Sequence, residues 1–186
     1  MRSDSRMEIL LTILRVLWFL APAGAANIAP PFFRRVKWLH IPVDGGRTWK
    51  GRRLLGRNKT IKGFVVGVSA SILAAGIQHL LYPYIGSIAI VDYTQYNFVL
   101  IGFLFGFGAL FGDAVESFFK RRLKIPSGKP FVPFDQIDWI IGGLVFVGLY
   151  VPIPWMKALL GVLVYGILHP VLSYLGYKLG IKKDPF

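Results

Sequence analysis

Long apolar runs separated by short polar stretches dominate this chain of 186 residues. Five of the runs approach the roughly 20 residues that a helix needs to cross the hydrocarbon layer of a membrane. They cover about residues 8–29, 63–84, 96–119, 134–151 and 155–179. The pattern therefore predicts an all-α integral membrane protein, in which residues 1–186 form a single membrane domain with a bundle of five transmembrane helices.

The first run also has features of a cleavable signal peptide. Arg2 and Arg6 precede an apolar stretch, and small residues follow it at positions 23–25. Arg15 interrupts that stretch, however, which is not typical of the apolar region of a signal peptide. We therefore interpret the run as a first transmembrane helix.

Small residues recur every fourth position in the second run, and in two pairs in the third. They are Gly63, Gly67, Ser71 and Ala75 in the second run, and Gly102, Gly106, Gly108 and Gly112 in the third. A stripe of small residues lets the backbone of a neighbouring helix approach closely. The spacing therefore predicts a compact bundle.

Positive charge is concentrated in alternate loops. Residues 34–62 contain ten Lys or Arg and a single acid, Asp44, and residues 120–129 contain five cations. Residues 83–95 contain neither Lys nor Arg. By the positive-inside rule, the segments at about 32–62 and 120–133 are two basic cytoplasmic loops. The N-terminus is then outside and the C-terminus is cytoplasmic.

The composition excludes several classes of protein. Hydrophobic residues make up 54% of the chain and the mean hydropathy is +0.55, which is too apolar for a soluble domain. The absence of cysteine excludes disulfides, thiolate zinc sites and a cysteine nucleophile. The formal net charge of +13 lies at the membrane edge. It therefore favours anionic headgroups or an anionic substrate, and not nucleic acid, as partners.

Three acids stand where a membrane protein rarely keeps a charge. Asp113 precedes Lys120 by seven residues, which places it about 10 Å below the end of a helix. Asp135 and Asp138 begin the fourth run, and their spacing puts them on one helix face. Intramembrane acids usually mark function, and carboxylates without His or Cys suit a hard ion. We predict that Asp113, Asp135 and Asp138 bind Mg²⁺.

Two acids also have simpler interpretations. Asp135 could cap the N-terminus of the fourth helix, although a cap does not explain two acids beside Asp113 on one membrane face. Glu116 is spaced i,i+4 from Lys120, and we interpret it as an ion-pair partner of that lysine in preference to a catalytic residue.

Residues 51–63, GRRLLGRNKTIKG, superficially resemble a phosphate-binding Walker A loop. Lys59 and Thr60 come two residues too late after Gly56, and no strand is predicted before the segment. Cytoplasmic loops of membrane proteins are commonly basic, but the ten cations in residues 34–62 are more than the positive-inside rule requires to orient the protein in the membrane. We predict that this segment binds phosphates through Arg52, Arg53, Asn58, Lys59, Thr60 and Lys62.

Acids for a divalent ion beside a basic cluster favour phosphoryl or nucleotidyl transfer, which depends mainly on positioning and charge neutralisation. No serine with a histidine base can be assembled nearby, so hydrolysis through a covalent intermediate is disfavoured.

Several ordered motifs resemble the CDP-archaeol synthases, and the resemblance covers nearly the whole chain. The motifs are Gly112-Asp113, Ser117 with Lys120-Arg121, residues 128–139 (GKPFVPFDQIDW), Asn27 with Pro30, and residues 51–63. That family is similar to the bacterial phosphatidate cytidylyltransferases, whose signature combines Ser-x-x-Lys-Arg with Asp-Arg-x-Asp. Gln136 replaces the second arginine here and the bacterial His-Gly-Gly stretch is missing, which favours the archaeal branch.

The resemblance implies transfer of the cytidylyl group of CTP to an isoprenoid ether lipid phosphate, 2,3-di-O-geranylgeranylglyceryl phosphate, with release of pyrophosphate. It implies Mg²⁺ as cofactor and a site at the cytoplasmic face of the cell membrane. The implied catalytic residues are Asp113, Asp135, Asp138 and Lys120, and the implied nucleotide-binding residues are Asn58, Lys59, Thr60, Lys62, Arg121 and Lys129.

Three alternatives remain at this point. A CDP-alcohol phosphotransferase would use similar acids, but its Asp-Gly-x-x-Ala-Arg signature is absent. A CTP-dependent polyprenol kinase would direct attack to the γ-phosphorus. A lipid transporter would line a pathway with the acids and would need neither CTP nor Mg²⁺.

Overall fold

The computed structural model describes residues 2–33, 35–36, 38–126 and 129–178, without the side chains of residues 2–5, 169, 172, 173 and 176. Arg34, Lys37, Gly128 and the last residue of the predicted fifth run, Leu179, lie outside the described residues. Five α-helices account for most of the structure. They are α1 (Arg2–Phe32), α2 (Ile61–Ile85), α3 (Phe98–Arg122), α4 (Phe134–Gly148) and α5 (Trp155–Lys178), with a 3₁₀ turn at Gly86–Ile88.

Three stretches are long and apolar enough to cross a membrane, namely Arg6–Phe32, Ile61–Ile88 and Phe98–Arg122. A shorter apolar helix, Trp155–Leu168, lies within α5. The predicted helical membrane protein is therefore confirmed. The count of five spans and the outside N-terminus stay predictions.

α1 is an integral part of the bundle. Val16, Leu20 and Ala23 are almost completely buried in the hydrophobic core. Arg15, which interrupts the apolar run, donates from Nε to the carbonyl oxygen of Ser87 at 3.2 Å. The charge is thus placed beside the 3₁₀ turn, outside the apolar core.

The stripe of small residues on α2 makes close helix contacts, as its spacing predicts. A Cβ atom at Gly102 of α3 would lie 2.5 Å from Cα of Ile72. A Cβ atom at Gly67 of α2 would lie 2.7 Å from the carbonyl oxygen of Ala26. Both separations are shorter than any real contact, so a larger residue would push the helices apart.

α3 and α4 approach each other still more closely. A Cβ atom at Gly112 would lie 2.2 Å from the carbonyl oxygen of Asp138, and one at Gly142 would lie 2.1 Å from that of Gly108. The glycines therefore bring the α3 backbone beside the start of α4. Because Asp113 follows Gly112 directly, this contact places it next to Asp138.

The long α1–α2 loop contains a short antiparallel hairpin that the all-α prediction did not include. Its strands are β1 (Thr48–Trp49) and β2 (Arg52–Arg53). The two residues between them, Lys50 and Gly51, have φ of 49° and 71°, as a two-residue type I′ turn requires. Strands of two residues are too short to produce an alternating sequence pattern.

Asp44 organises this loop. Its carboxylate accepts hydrogen bonds from the backbone N–H groups of Gly46 and Leu55, 2.9 and 3.0 Å away, and from Nη2 of Arg53 at 3.0 Å. Burial alone would raise the pKa of the Asp44 carboxyl, but these bonds and the arginine charge together hold that pKa below its usual value. The acid is therefore ionised at neutral pH.

Candidate active site

One face of α3 carries the polar residues of the site. Asp113, Glu116, Ser117 and Lys120 are spaced at i, i+3, i+4 and i+7, which lines them up along the helix. Glu116, Ser117 and Lys120 are buried, at 7%, 6% and 8% exposure. Buried charges of this kind require partners: Glu116 and Lys120 pair with each other, and Asp135 of α4 also pairs with Lys120.

A cluster of three carboxylates forms where α3 meets α4. Asp113, Glu116 and Asp138 each offer one oxygen, and these oxygens lie within 4.8 Å of one another. Two members, Asp113 and Asp138, belong to the predicted metal set. The third is Glu116, which the sequence analysis interpreted only as a partner of Lys120.

Lys120 bridges two acids beside this cluster. Its Nζ lies 2.9 and 3.1 Å from the two carboxylate oxygens of Asp135 and 3.3 Å from Oε1 of Glu116. The predicted Glu116–Lys120 ion pair is thus present. Asp135 also accepts a 2.8 Å hydrogen bond from the backbone N–H of Phe131. Asp135 therefore fixes the lysine and the segment before α4, and the α4 cap position is taken by Pro133.

The α1–α2 loop closes over the cluster. Lys59 donates from its ammonium group to Oδ2 of Asp113 and forms an ion pair with it. A cavity of about 220 Å³ lies between the loop and the helices. It is lined by Gly56, Asn58, Lys59, Asp113, Glu116, Ser117, Lys120, Arg121, Asp135 and Asp138. We call it the acidic cavity.

A larger cavity adjoins the acidic cavity on the side of α1 and α2. Its volume is about 590 Å³, and it shares Asn58, Lys59 and Asp113 with the acidic cavity. We call it the α1–α2 cavity. The remaining lining residues combine polar and apolar groups, and they are Asn27, Pro30, Pro31, His40, Thr60, Lys62, Gly63, Phe64 and Leu110.

Two predicted phosphate ligands have structural partners in this region. Thr60 caps α2, since its hydroxyl oxygen accepts from the backbone N–H of Gly63 at 3.1 Å. Lys62, only 4% exposed, donates to the carbonyl oxygens of Phe33 and Val36. The Lys62 contacts fasten the chain after α1 to the start of α2. Both residues nevertheless line the α1–α2 cavity.

The other predicted nucleotide ligands divide into two groups. Asn58, Lys59 and Arg121 line the acidic cavity. Lys129 is exposed and is not among the residues that line the acidic or the α1–α2 cavity. Sequence reasoning missed Glu116 as a member of the carboxylate cluster. The i,i+3 spacing from Asp113 was the available signal, but the i,i+4 spacing from Lys120 explained the residue equally well.

The chain matches known proteins over nearly its whole length. Residues 8–186 fit the family model of the CarS-like proteins, CDP-archaeol synthase. The chain belongs to the CDP-archaeol synthase family. The resemblance inferred from the motifs is confirmed.

Curated relatives and a solved structure agree with this family. The CDP-archaeol synthase of Thermococcus gammatolerans is 37% identical over 97% of this chain and 100% of its own length. That of Methanospirillum hungatei is 40% identical over 78% of this chain and 90% of its own length. A solved intramembrane enzyme for archaeal membrane lipid biosynthesis has a TM-score of 0.70 and 30% identity, and the match covers 87% of this chain and 94% of that one.

Proposed function

We propose that this membrane enzyme transfers the cytidylyl group of CTP to 2,3-di-O-geranylgeranylglyceryl phosphate, forming CDP-archaeol and releasing pyrophosphate. Membership of the CDP-archaeol synthase family supports the reaction. The observation that carries the proposal is the carboxylate cluster of α3 and α4, which lines one cavity together with Lys59 and Lys120. This arrangement can gather a divalent cation and phosphates at one point.

The carboxylate cluster fits Mg²⁺. Two oxygens on opposite sides of such an ion, at about 2.1 Å each, are about 4.2 Å apart. The oxygens of Asp113, Glu116 and Asp138 lie within 4.8 Å of one another, so small side-chain rotations would suffice. The donor set consists only of carboxylate oxygens, which a hard ion prefers. We propose these three residues as ligands, with Asp135 positioning Lys120.

The reaction requires two polyanions to meet. Asp113, Glu116 and Asp138 would hold Mg²⁺, which would supply positive charge to stabilise the leaving pyrophosphate. Lys59 and Lys120 lie at the same cavity and can neutralise further phosphate charge. The attacking lipid phosphate monoester is already largely ionised at neutral pH, so no residue needs to remove a proton from it.

The membrane placement is part of the proposal. We infer five spans with an outside N-terminus, which puts the α1–α2 loop and its cations on the cytoplasmic side, where CTP is available. The isoprenoid chains of the lipid would remain in the bilayer, with the phosphate reaching the acidic cavity at the membrane edge.

Mass spectrometry of the products tests the proposal. Purified protein given Mg²⁺, CTP and the ether lipid phosphate should form CDP-archaeol and one pyrophosphate per turnover. A kinase acting at the γ-phosphorus would instead release CDP and form a lipid diphosphate, and a transporter would form neither product. Either of these results would contradict the proposed reaction.

A further inference from the structure

The segment that leaves α1 exposes large apolar side chains. Residues 32–43 begin at the last residue of α1 and lead into the α1–α2 loop, and we call them the exit segment. Six of its side chains are between 43% and 80% exposed, namely Phe32, Phe33, Val36, Trp38, Ile41 and Val43. All but the first lie outside the helices. An exposed apolar patch of this kind marks a surface that contacts a membrane or a partner.

The exit segment is also basic. Arg34, Arg35 and Lys37 stand among the apolar residues, and Arg35 is exposed. The sequence contains no acid between Glu8 and Asp44. Apolar side chains interleaved with cations suit the surface of a membrane, where the apolar groups enter the acyl boundary and the cations meet anionic headgroups. Charge complementarity therefore favours an anionic lipid surface.

The exit segment begins where the chain leaves the hydrocarbon layer. The apolar stretch Arg6–Phe32 contains 27 residues, which at about 1.5 Å per residue form a helix of about 40 Å. That length exceeds the roughly 30 Å of the hydrocarbon layer, so the ends of the helix reach into the headgroup layers. Trp38 follows shortly after this helix, and tryptophan is enriched at the membrane–water interface.

Backbone hydrogen bonds join the exit segment to the start of α2. Three bonds, of 2.9, 2.9 and 3.0 Å, run from the N–H groups of Val43, Ile61 and Lys62 to the carbonyl oxygens of Lys59, Ile41 and Leu39, respectively. The first of them holds the backbone of Lys59, whose ammonium group pairs with Asp113 at the acidic cavity. A shift of the exit segment would therefore move Lys59.

A second copy of the chain fits this surface less well than a lipid does. In a two-fold dimer the same patch contacts itself, so the cations of one copy would face those of the other. Asp44, the first acid after the segment, is already bound to Gly46, Arg53 and Leu55. Anionic headgroups supply the missing negative charge without this repulsion.

We propose that the exit segment binds anionic lipid headgroups at the membrane surface, and that this contact holds Lys59 at the acidic cavity. The lipid contact is independent of the proposed function, whereas its effect on turnover rests on that function. The residues of the exit segment are positioning residues, because they act on the reaction through Lys59. Turnover should then depend on the charge of the bilayer.

A spin label on the exit segment tests the lipid contact. The chain contains no cysteine, so Val36→Cys provides a single labelling site. In vesicles of phosphatidylcholine with about 30% phosphatidylglycerol, the label should collide more often with oxygen, which concentrates in the bilayer, than with a water-soluble nickel chelate. In phosphatidylcholine alone, collisions with the nickel chelate should increase at least about twofold. Adding Arg35→Gln should remove most of this difference, and adding Arg35→Lys should preserve it.

Steady-state kinetics test the effect on Lys59. At a fixed fraction of the lipid phosphate, kcat/KM for CTP should rise at least about threefold from neutral to anionic vesicles. Arg35→Gln combined with Trp38→Ala should abolish this rise, whereas Arg35→Lys combined with Trp38→Phe should retain it. Arg47→Gln removes an exposed cation of the same loop outside the exit segment, and it should also retain the rise. If the first double variant does not fold, Arg35→Gln alone gives the comparison with a smaller effect.

The outcomes separate the lipid contact, its effect on Lys59 and the proposed function. A label equally accessible to the nickel chelate in both kinds of vesicle would overturn the lipid contact. A label that responds to lipid charge, with a normal kinetic response in the Arg35→Gln, Trp38→Ala variant, would overturn the link to Lys59. Oxidative cross-linking of Val36→Cys between proteins diluted in lipid would place a second copy on the segment and contradict the proposal. If the wild-type protein forms no CDP-archaeol, the proposed function fails, and the spin label still decides the lipid contact.

Discussion

Lys59 of the α1–α2 loop donates a hydrogen bond to the carboxylate of Asp113 on α3, across 54 positions of the chain. The two side chains are partly buried, at 18% and 28% exposure, and both line the acidic and the α1–α2 cavities. The pair connects the basic loop to the carboxylate cluster. The ammonium group of Lys59 therefore lies at the acidic cavity, where the phosphates of CTP and of the lipid would meet under the proposed function.

Replacing this lysine should therefore slow catalysis severely. We expect Lys59→Ala to lower kcat/KM for CTP by about 100-fold, since removal of one preorganised donor from a charged site has an effect of that order. Steady-state kinetics with Arg47→Ala as the matched control measures the effect. Near-normal kinetics for Lys59→Ala would contradict the assignment of the α1–α2 loop to the nucleotide site.

The carboxylate cluster predicts different roles for neighbouring acids. Asp138→Asn and Glu116→Gln should each raise the Mg²⁺ concentration needed for half-maximal activity at least about tenfold, because each removes a charged ligand. Asp135→Asn should lower kcat while leaving that concentration nearly unchanged, since Asp135 binds Lys120. Magnesium titrations at saturating CTP make the comparison. If Asp135→Asn raised the Mg²⁺ concentration for half-maximal activity and Glu116→Gln did not, Asp135 and not Glu116 would be the metal ligand.

The main helices could be predicted because apolar runs of membrane length dominate the sequence, and the small-residue spacing anticipated the contacts at Gly102 and Gly112. The hairpin of the α1–α2 loop could not be predicted, because strands of two residues leave no periodic pattern in the sequence. Sequence spacing placed the acids on helix faces but could not show which face of α4 meets α3. That packing decides that Asp138 of α4 joins Asp113 and Glu116 of α3.

Lys62 shows that the sequence also could not identify which basic residues are available to bind phosphate. Its position in a cationic segment predicted a phosphate ligand, yet its ammonium group binds two backbone carbonyl oxygens near the end of α1. Charge density along the sequence identifies a region that binds anions. It does not identify which cations are already engaged by the backbone, because that depends on where the chain before α2 passes.

The contact of Gly112 with α4 can be tested by adding one methyl group. A Cβ atom there would lie 2.2 Å from the carbonyl oxygen of Asp138. Gly112→Ala must therefore displace α3 and α4 from each other at this contact. We expect a loss of about 1–3 kcal/mol in the free energy of unfolding, together with reduced turnover. Gly148→Ala is the control, since a Cβ atom at Gly148 has no neighbour within 4 Å. Thermal unfolding in detergent and activity assays should separate the two variants, and equal behaviour would contradict the packing argument.

Arg122 fastens the hairpin of the α1–α2 loop to the end of α3. Its guanidinium donates to the carbonyl oxygens of Trp49 at 2.7 Å, Arg52 at 3.3 Å and Arg53 at 2.6 Å. It also lies over the rings of Trp49 and Phe118, 5.3 and 5.1 Å from their centroids. Arg122 lines neither the acidic cavity nor the α1–α2 cavity. It is therefore a positioning residue for the loop that carries Lys59.

Loss of the Arg122 contacts should raise the KM for CTP more than it lowers kcat. A hydrogen bond from a charged group contributes about 1.5–3 kcal/mol, so we expect Arg122→Ala to raise the KM for CTP about tenfold with a smaller change in kcat. Arg122→Lys keeps the charge but cannot reach three carbonyl oxygens from one planar group, so it should share the defect. Hydrogen exchange at residues 47–54 should accelerate in both variants and remain unchanged in Arg47→Ala. Wild-type kinetics and exchange in Arg122→Lys would show that the charge alone matters, and would contradict the positioning role.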